Sequence, residues 1–164
     1  MSVIAEIEQA VPALRRYAWT LLRHRQDADD LVQDCIVRAL GRLPAEPGIL
    51  AVRPWLFTIL HNLSVSRWRN LRRRAAARFT PEDQVAPAQD WNLATRDLVQ
   101  ALDRLGPEQR QVLLLVTVEG FEYRQVAAIL GLPVGTVMSR LSRARDALRE
   151  DMEGRGRQPL RRVK

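Results

Sequence analysis

Residues 136–145 concentrate the side chains that are best suited to contacting DNA. The segment is TVMSRLSRAR, and its apolar positions Val137, Leu141 and Ala144 recur at steps of four and three. This spacing predicts one buried stripe along a helix. The other positions carry hydroxyl, thioether and guanidinium groups, and arginine binds phosphates and guanine edges. We predict a helix that enters a DNA major groove; the alternative is a helical hairpin with a solvated basic face.

A shorter helix and a tight turn precede this segment. Val126, Ala127 and Ile129 give the shorter helix an apolar face. Gly131 follows them, where the end of a helix favours a residue that tolerates positive φ. The two helices together predict a DNA-binding helix-turn-helix. Its candidate DNA contacts are Arg124, Thr136, Met138, Ser139, Arg140, Ser142, Arg143 and Arg145.

A second basic zone lies in the first half of the chain. Residues 63–80 hold six arginines and no acid, and Trp68 lies among them. Arginines beside an aromatic ring can contact phosphates while the ring stacks on unpaired bases. Trp68 could equally pack in a core, because Leu63 and Leu71 are near it in sequence. An acidic segment, residues 81–110, separates this zone from the helix-turn-helix, so we predict two contact surfaces for one polyanion.

Four aspartates form a third group on a helix predicted over residues 27–43: Asp27, Asp29 and Asp30 lie in its first turns, and Asp34 follows them. The helix dipole favours acids at these positions. Their helical placement, without a loop glycine pattern, argues against a calcium site. The two histidines are far apart in the sequence and give no zinc pattern, and the single cysteine cannot form a disulfide within one chain. We predict no metal, no cofactor and no enzymatic activity, because the sequence has no phosphate loop and no nucleophile–base set.

The composition agrees with a soluble partner of a polyanion. The chain has 164 residues and a formal net charge of +7, which favours nucleic acid over an acidic substrate as its binding partner. It has no apolar run of about 18 residues that could span a membrane. Its N-terminus lacks the basic start and the long hydrophobic core of a signal peptide. We expect a cytoplasmic protein without membrane insertion.

Helical periodicity covers almost the whole chain, and no strand pattern is convincing, so the predicted fold class is all-α. A stretch with two prolines, FTPEDQVAPAQD at residues 79–90, interrupts the periodicity and predicts a flexible linker. We predict two small helical domains and a basic tail. The predicted limits are residues 1–76 for the first domain, 77–91 for the linker, 92–153 for the helix-turn-helix domain and 154–164 for the tail.

The first two helices position the four aspartates. The first amphipathic stretch starts at Ile4, and Pro12 breaks or begins a helix within it. The helix over residues 27–43 is predicted to direct four apolar side chains inward. Cys35 lies among them and is expected to be a buried small hydrophobe rather than a reactive thiol. The four inward side chains are Leu31, Val32, Ile36 and Leu40.

Two further helices position the first basic zone. Pro54 suits the first turn of a third helix. A fourth helix is predicted from Leu63 to Arg74, which places Asn62 at the junction of the two. Asparagine caps helices well, so a capping role is the simplest role for Asn62.

Four segments, in this order, resemble the extracytoplasmic-function sigma factors, the smallest group of the bacterial sigma-70 superfamily. The segments are DADDLVQDCIVRAL (27–40), PWLFTILHNLSVSRWRNLRRR (54–74), LDRLGPEQRQVLLLV (102–116) and GLPVGTVMSRLSRAR (131–145). The resemblance implies that the protein binds core RNA polymerase, recognises a promoter and helps to open the DNA. The first domain would be similar to sigma region 2 and the second to sigma region 4.

The resemblance assigns roles to the predicted site residues. The acidic helix matches the polymerase-binding surface of the family, although Leu31 could serve the core instead, and the acids could be no more than a solvated helix start. Asn62 matches a position that captures a flipped base, for which stacking and hydrogen bonds must offset the cost of extrusion. The predicted polymerase contacts are Asp30, Leu31, Gln33, Asp34 and Arg38. The predicted contacts to the −10 element are Asn62, Ser64, Ser66, Arg67, Trp68, Arg69, Arg72 and Arg73.

In the helix-turn-helix, the resemblance assigns the candidate contacts to the −35 element. The family often has a basic residue where this chain has Met138, and an aromatic or longer side chain where it has Ser142. The resemblance also implies an anti-sigma protein as a partner, and a monomer when the protein is free. Two alternatives stay open: a conventional helix-turn-helix regulator that binds duplex DNA as a dimer without replacing sigma, and an adaptor that mimics a sigma domain.

Overall fold

The computed structural model describes residues 2–43, 51–75 and 100–156, and every regular element in these ranges is a helix. This confirms the predicted all-α fold class. The helices are α1 (Val3–Leu22), α2 (Arg25–Arg42), α3 (Val52–Ala75), α4 (Pro107–Thr117), α5 (Tyr123–Leu130) and α6 (Val134–Gly156). Residues 100–104 are also helical. The predicted linker at 77–91 lies outside the described residues.

Helices α1, α2 and α3 pack against one another around a shared apolar core. At its centre the rings of Tyr17 and Phe57 lie 5.4 Å apart in a tilted arrangement. Each large apolar side chain that leaves water contributes roughly 1.5–3 kcal/mol to this packing. The largest fully buried side chains of this group are Tyr17, Phe57, Leu14, Leu31, Leu56, Leu60 and Val32.

Helix α1 is continuous, so the prediction that Pro12 breaks or begins a helix is wrong. Pro12 lies inside α1 on its exposed side. A proline in a helix interior costs about 3 kcal/mol, because it removes a hydrogen bond and crowds the preceding turn. Buried Ala10, Ala13 and Leu14 flank it and keep both halves of α1 on the same core. Ile4, which the amphipathic pattern included, is exposed.

Only two of the four side chains that were predicted to face inward from α2 are buried. Leu31 and Val32 are buried as predicted, but Ile36 is only half-buried and Leu40 is exposed. Smaller side chains take their place, because the close approach of α2 to α1 and α3 selects small residues. The buried small residues are Ala28, Cys35 and Ala39. The helix also begins at Arg25, two residues before the predicted start, with His24 accepting a hydrogen bond from the Asp27 amide at 3.3 Å.

Cys35 is buried, as predicted. Its thiol donates a weak hydrogen bond to the Leu56 carbonyl oxygen at 3.4 Å, so it links α2 to α3. Burial raises the pKa of the Cys35 thiol to about 12, because a thiolate would be poorly solvated there.

Helix α3 is one helix of 24 residues, so the predicted junction at Asn62 is wrong. Buried Leu56, Ile59, Leu60 and Leu63 continue one stripe across the position of the predicted break. No glycine or proline occurs between Trp55 and Ala75, so nothing interrupts the backbone hydrogen bonds. Asn62 lies exposed in the middle of α3 and therefore caps no helix end.

The second group of helices begins with the predicted break at Gly106 and Pro107. Gly106 is the N-cap of α4 and Pro107 lies in its first turn, which confirms that break. Arg110 donates three hydrogen bonds to the carbonyl oxygens that end the preceding helical segment, at 2.8, 2.8 and 3.1 Å. Burial lowers the pKa of Arg110, because the guanidinium loses part of its hydration.

The helix-turn-helix follows in α5 and α6. Gly131 has a φ of +65° directly after α5, as the sequence predicts. The Pro133 carbonyl oxygen accepts hydrogen bonds from the amides of Thr136 and Val137 at 3.0 and 3.2 Å, and so begins α6. Helix α6 packs on α4 and continues to Gly156, three residues beyond the predicted end of the domain. Residues 157–164 of the predicted tail lie outside the described residues.

Candidate functional site

Helix α6 has a buried stripe and a polar outer face. Val137, Leu141 and Ala144 are buried, as predicted from their spacing. Thr136 is half-buried and accepts, through its carbonyl oxygen, a hydrogen bond from the Ser139 hydroxyl at 3.1 Å. The side chains away from the stripe have the chemistry of major-groove contacts: short hydroxyls, one thioether and long guanidinium groups. The exposed candidates on α6 are Met138, Ser139, Ser142, Arg143 and Arg145.

Arg140 is directed to a neighbouring helix. Its guanidinium pairs with the Glu108 carboxylate of α4 at 2.9 Å, and only 22% of the Arg140 side chain is exposed. The ion pair ties α6 to the first turn of α4. Among the described residues, Arg140 is therefore the one candidate on α6 whose guanidinium pairs with an acid on another helix.

A cleft of about 230 Å³ lies beside the outer face of α6. Met138, Ser142 and Arg145 line one part of it, and Tyr123 from the start of α5 lines another. Arg149 lies in the same cleft, with its guanidinium 3.8 Å from the Asp146 carboxylate. Sequence reasoning missed Tyr123 and Arg149. The signal for Arg149 is its four-residue spacing from Arg145; no sequence signal places Tyr123 against α6.

On α3, the candidate contacts separate by burial. Asn62, Ser66 and Arg69 are exposed, and the Ser66 hydroxyl donates to the Asn62 carbonyl oxygen at 3.0 Å. Ser64 is buried and donates to the His61 carbonyl oxygen at 2.7 Å. Because the Ser64 hydroxyl is buried and hydrogen-bonded within its own helix, it is not accessible to DNA, and Ser64 is excluded from the proposed DNA contacts. Burial also lowers the pKa of His61. Trp68, Arg72 and Arg73 lie on α3, but their side chains lie outside the described residues.

Arg67 connects α3 to α2. One terminal nitrogen of its guanidinium donates to the Asp27 carbonyl oxygen at 3.0 Å, and the other donates to the Asp34 carboxylate at 3.3 Å. A candidate DNA contact and a candidate polymerase contact are thus joined in one ion pair.

Three of the five predicted polymerase contacts on α2 are exposed, and the other two, Asp30 and Leu31, are not. Gln33, Asp34 and Arg38 are exposed, and Asp30 is half-buried and accepts a hydrogen bond from Gln26 at 3.1 Å. Leu31 is fully buried, so it serves the core rather than a surface.

Two apolar residues of the same helix were missed as surface candidates. Val37 is 69% exposed and Leu40 is 44% exposed. Val37 lies four residues after Gln33 and Leu40 lies seven residues after it, so both share a face of α2 with Gln33. Leu40 was predicted to face the core because it follows Ile36 by four residues and so continues the apolar pattern of Leu31 and Ile36. Only the packing of the neighbouring helices shows that it lies on the exposed face.

In the described residues, no group of three or more acids, histidines or cysteines could hold a metal ion. None of the described helices is long and apolar enough to cross a bilayer.

Residues 7–61 match the protein family described as the Sigma2 domain of PhyR, and residues 95–148 match the family described as Sigma-70, region 4. The chain is 41% identical to the ECF RNA polymerase sigma factor EcfG of Rhodopseudomonas palustris, over 87% of this chain and 81% of the relative. It is similar to the solved sigma factor RpoE of Bartonella quintana in complex with the anti-sigma factor NepR, with a TM-score of 0.78, 35% identity and coverage of 91% and 95% of the two chains. The anti-anti-sigma factor PhyR of the same organism, solved with NepR, shares the fold at 18% identity and a TM-score of 0.57, over 92% of this chain and 51% of that chain.

Proposed function

The chain belongs to the extracytoplasmic-function RNA polymerase sigma factors, and on that premise we propose that it binds core RNA polymerase and directs promoter-specific transcription initiation. The α1–α3 domain docks on the polymerase and contacts the −10 element. The helix-turn-helix contacts the −35 element. The observation that carries the proposal is that one chain bears an exposed acidic and apolar helix face together with arginines on two other helices.

The polymerase-binding surface of this proposal is the exposed face of α2, made of Asp30, Gln33, Asp34, Arg38 and the added residues Val37 and Leu40. Carboxylates beside exposed apolar side chains suit a basic partner helix, because charge sets the register and apolar burial supplies affinity. Leu31 is not part of the proposed surface, because it is fully buried.

The proposed DNA contacts are graded by exposure. On α6, Ser139, Ser142 and Met138 reach base edges, while Arg143 and Arg145 bind phosphates or guanine. Arg124 and Thr136 contact the DNA backbone in this proposal. Arg140 also contacts DNA, but its guanidinium is paired with Glu108 in the free chain. On α3, Asn62 is exposed and has an amide that can pair with an extruded base. The other proposed −10 contacts are Ser66, Arg67, Trp68, Arg69, Arg72 and Arg73.

An anti-sigma protein is the proposed regulator. RpoE of Bartonella quintana, which shares 35% of its sequence with this chain, is solved in complex with the anti-sigma factor NepR. For this chain we propose a first domain at 1–76, a linker at 77–91, a helix-turn-helix domain at 92–153 and a tail at 154–164, with α6 continuing to Gly156. An anti-sigma protein that covers α2 would exclude the polymerase by direct competition.

A second candidate function is the sequestration of an anti-sigma protein without transcription. The observation that favours it is the match of residues 7–61 to the Sigma2 domain of PhyR, since a protein named PhyR is described as an anti-anti-sigma factor. Such a protein needs no DNA contact. The exposed arginines of α6 favour the sigma factor.

The test is reconstitution with sigma-free core RNA polymerase and genomic DNA fragments. A stable complex that yields promoter-specific transcripts supports the sigma factor, and the start sites give the −10 and −35 sequences. Specific duplex binding without a complex with core would indicate a conventional regulator. Binding to an anti-sigma protein, but neither core binding nor transcripts, would indicate the sequestering protein.

A charge-reversed variant locates the docking surface. Exchanging Asp30 and Asp34 together for Arg should abolish the complex with core while duplex DNA binding by the same chain persists. The matched control exchanges Glu6 and Glu8 of α1 for Arg, which changes the net charge equally on another helix. Equal loss of core binding in both variants would contradict the assignment to α2.

A further inference from the structure

Arg67 is the residue that ties the acidic face of α2 to α3. Its guanidinium donates to the Asp27 carbonyl oxygen at 3.0 Å and to the Asp34 carboxylate at 3.3 Å. The guanidinium therefore contacts α2 through one backbone carbonyl oxygen, that of Asp27, and one carboxylate, that of Asp34. The contact joins residues that are 33 and 40 positions apart in the sequence.

The neighbouring acids of α2 have other partners. Asp29 pairs with Arg15 of α1 at 3.5 Å, Asp30 accepts from Gln26, and the Asp27 carboxylate lies 3.4 Å from His24. Asp34 is thus the acid that holds Arg67. The pair is partly exposed, with 57% of the Asp34 side chain and 32% of the Arg67 side chain open to solvent.

We propose that the Asp34–Arg67 ion pair couples core binding to DNA binding: Asp34 holds Arg67 in the free chain, and a basic group of the polymerase that takes the Asp34 carboxylate releases Arg67 to a DNA phosphate. This inference rests on the proposed function of the two surfaces. Asp34 is then both a docking residue and a positioning residue for Arg67.

The physical basis is that one carboxylate serves two competing cations. A guanidinium has five donors and binds phosphate as readily as carboxylate. A partly exposed ion pair shifts an equilibrium by about five-fold at most, so the exchange is reversible. Because coupling between two binding events is reciprocal, DNA that captures Arg67 also frees Asp34 for the polymerase.

The test measures binding of the full chain, without polymerase, to a fluorescein-labelled oligothymidylate single strand by anisotropy over a range of salt concentrations. Asp34→Asn keeps the shape of the side chain and removes its charge. We expect it to tighten binding by about two- to five-fold. One additional phosphate contact should steepen the slope of log K against log salt by about 0.7.

Two controls separate the release of Arg67 from a general change of charge. Asp29→Asn removes an acid from the same helix that is held by Arg15 instead of Arg67, and it should leave the salt slope unchanged. In an Arg67→Ala background, Asp34→Asn should give no gain. Thermal unfolding checks that each variant keeps its fold.

Unchanged affinity and slope in Asp34→Asn would overturn the inference, and so would an equal gain in Asp29→Asn. Core binding of the same variants is measured separately. If Asp34→Asn weakens core binding without any gain on the single strand, the coupling is wrong while the proposed docking role of Asp34 stands. If core binding is intact in Asp34→Asn, the docking role of Asp34 is wrong.

Discussion

Leu40 offers a direct measure of the proposed polymerase-binding surface. Complete burial of a leucine contributes roughly 1.5–3 kcal/mol, and 44% of Leu40 is still exposed in the free chain. Burial of this remaining part in a complex would contribute roughly 0.7–1.3 kcal/mol by simple proportion. Leu40→Ala removes most of the apolar surface concerned. We therefore expect it to weaken core binding by about three- to ten-fold.

The assay is competition for sigma-free core polymerase against labelled unmodified protein. Ile4→Ala is the matched control, because Ile4 is also an exposed apolar side chain but lies on α1. It should leave affinity within about two-fold. Urea unfolding of both variants separates a loss of affinity from a loss of stability. Equal effects of the two substitutions, or no effect of Leu40→Ala, would refute the reasoning that α2 buries Leu40 against the polymerase.

Four further predictions concern folding and promoter opening. Arg110→Ala should lower the free energy of unfolding by about 1–2 kcal/mol in urea titrations, because three carbonyl oxygens lose their donor; Arg110→Lys, with fewer donors, should recover only part of it. Gly131→Ala should cost about 1 kcal/mol because of the φ of +65°, whereas Gly154→Ala inside α6 should not destabilise. Since burial raises the pKa of Cys35 to about 12, its thiol should resist iodoacetamide at pH 8 until denaturant unfolds the chain. Asn62→Ala should leave thermal stability unchanged or slightly higher, because Asn62 is exposed within α3, and should slow open-complex formation more than initial docking; unchanged opening would contradict base capture.

Periodicity and turn chemistry predicted much of the fold. The buried stripe of α6, the break before α4 and the positive φ of Gly131 all follow from local residue types. One of the two errors in helix continuity occurred where a local signal conflicts with tertiary packing. Pro12 is a strong local breaker, yet the core on both sides of it keeps α1 continuous. The junction at Asn62 had no breaker at all, and the uninterrupted stripe from Leu56 to Leu63 was the signal that should have excluded it.

The candidate sites were harder to predict than the fold, because residue type does not reveal which side of a helix is covered. Leu31 and Leu40 have the same chemistry and lie on the same helix, but one is fully buried and the other is 44% exposed. Ser64 and Ser66 are two positions apart, and only Ser66 is exposed. These distinctions depend on where neighbouring helices approach, which short-range sequence patterns do not encode.

A count of arginines overstates the positive charge that is available to DNA. Arg67 is held by Asp34, Arg140 is held by Glu108, and Arg110 satisfies the end of a helical segment. Arg124 on α5 and Arg143 and Arg145 on α6 are exposed, so the immediate electrostatic contribution of the candidate contacts in the helix-turn-helix comes mainly from these three side chains. Because each phosphate contact adds about 0.9 to the salt slope on duplex DNA, the slope of the free chain should be smaller than its basic composition implies. In the exchange that we propose for Arg67, a partly exposed pair makes its arginine more available by about five-fold at most when the acid binds elsewhere, and this would make the acidic partner part of the control of DNA binding.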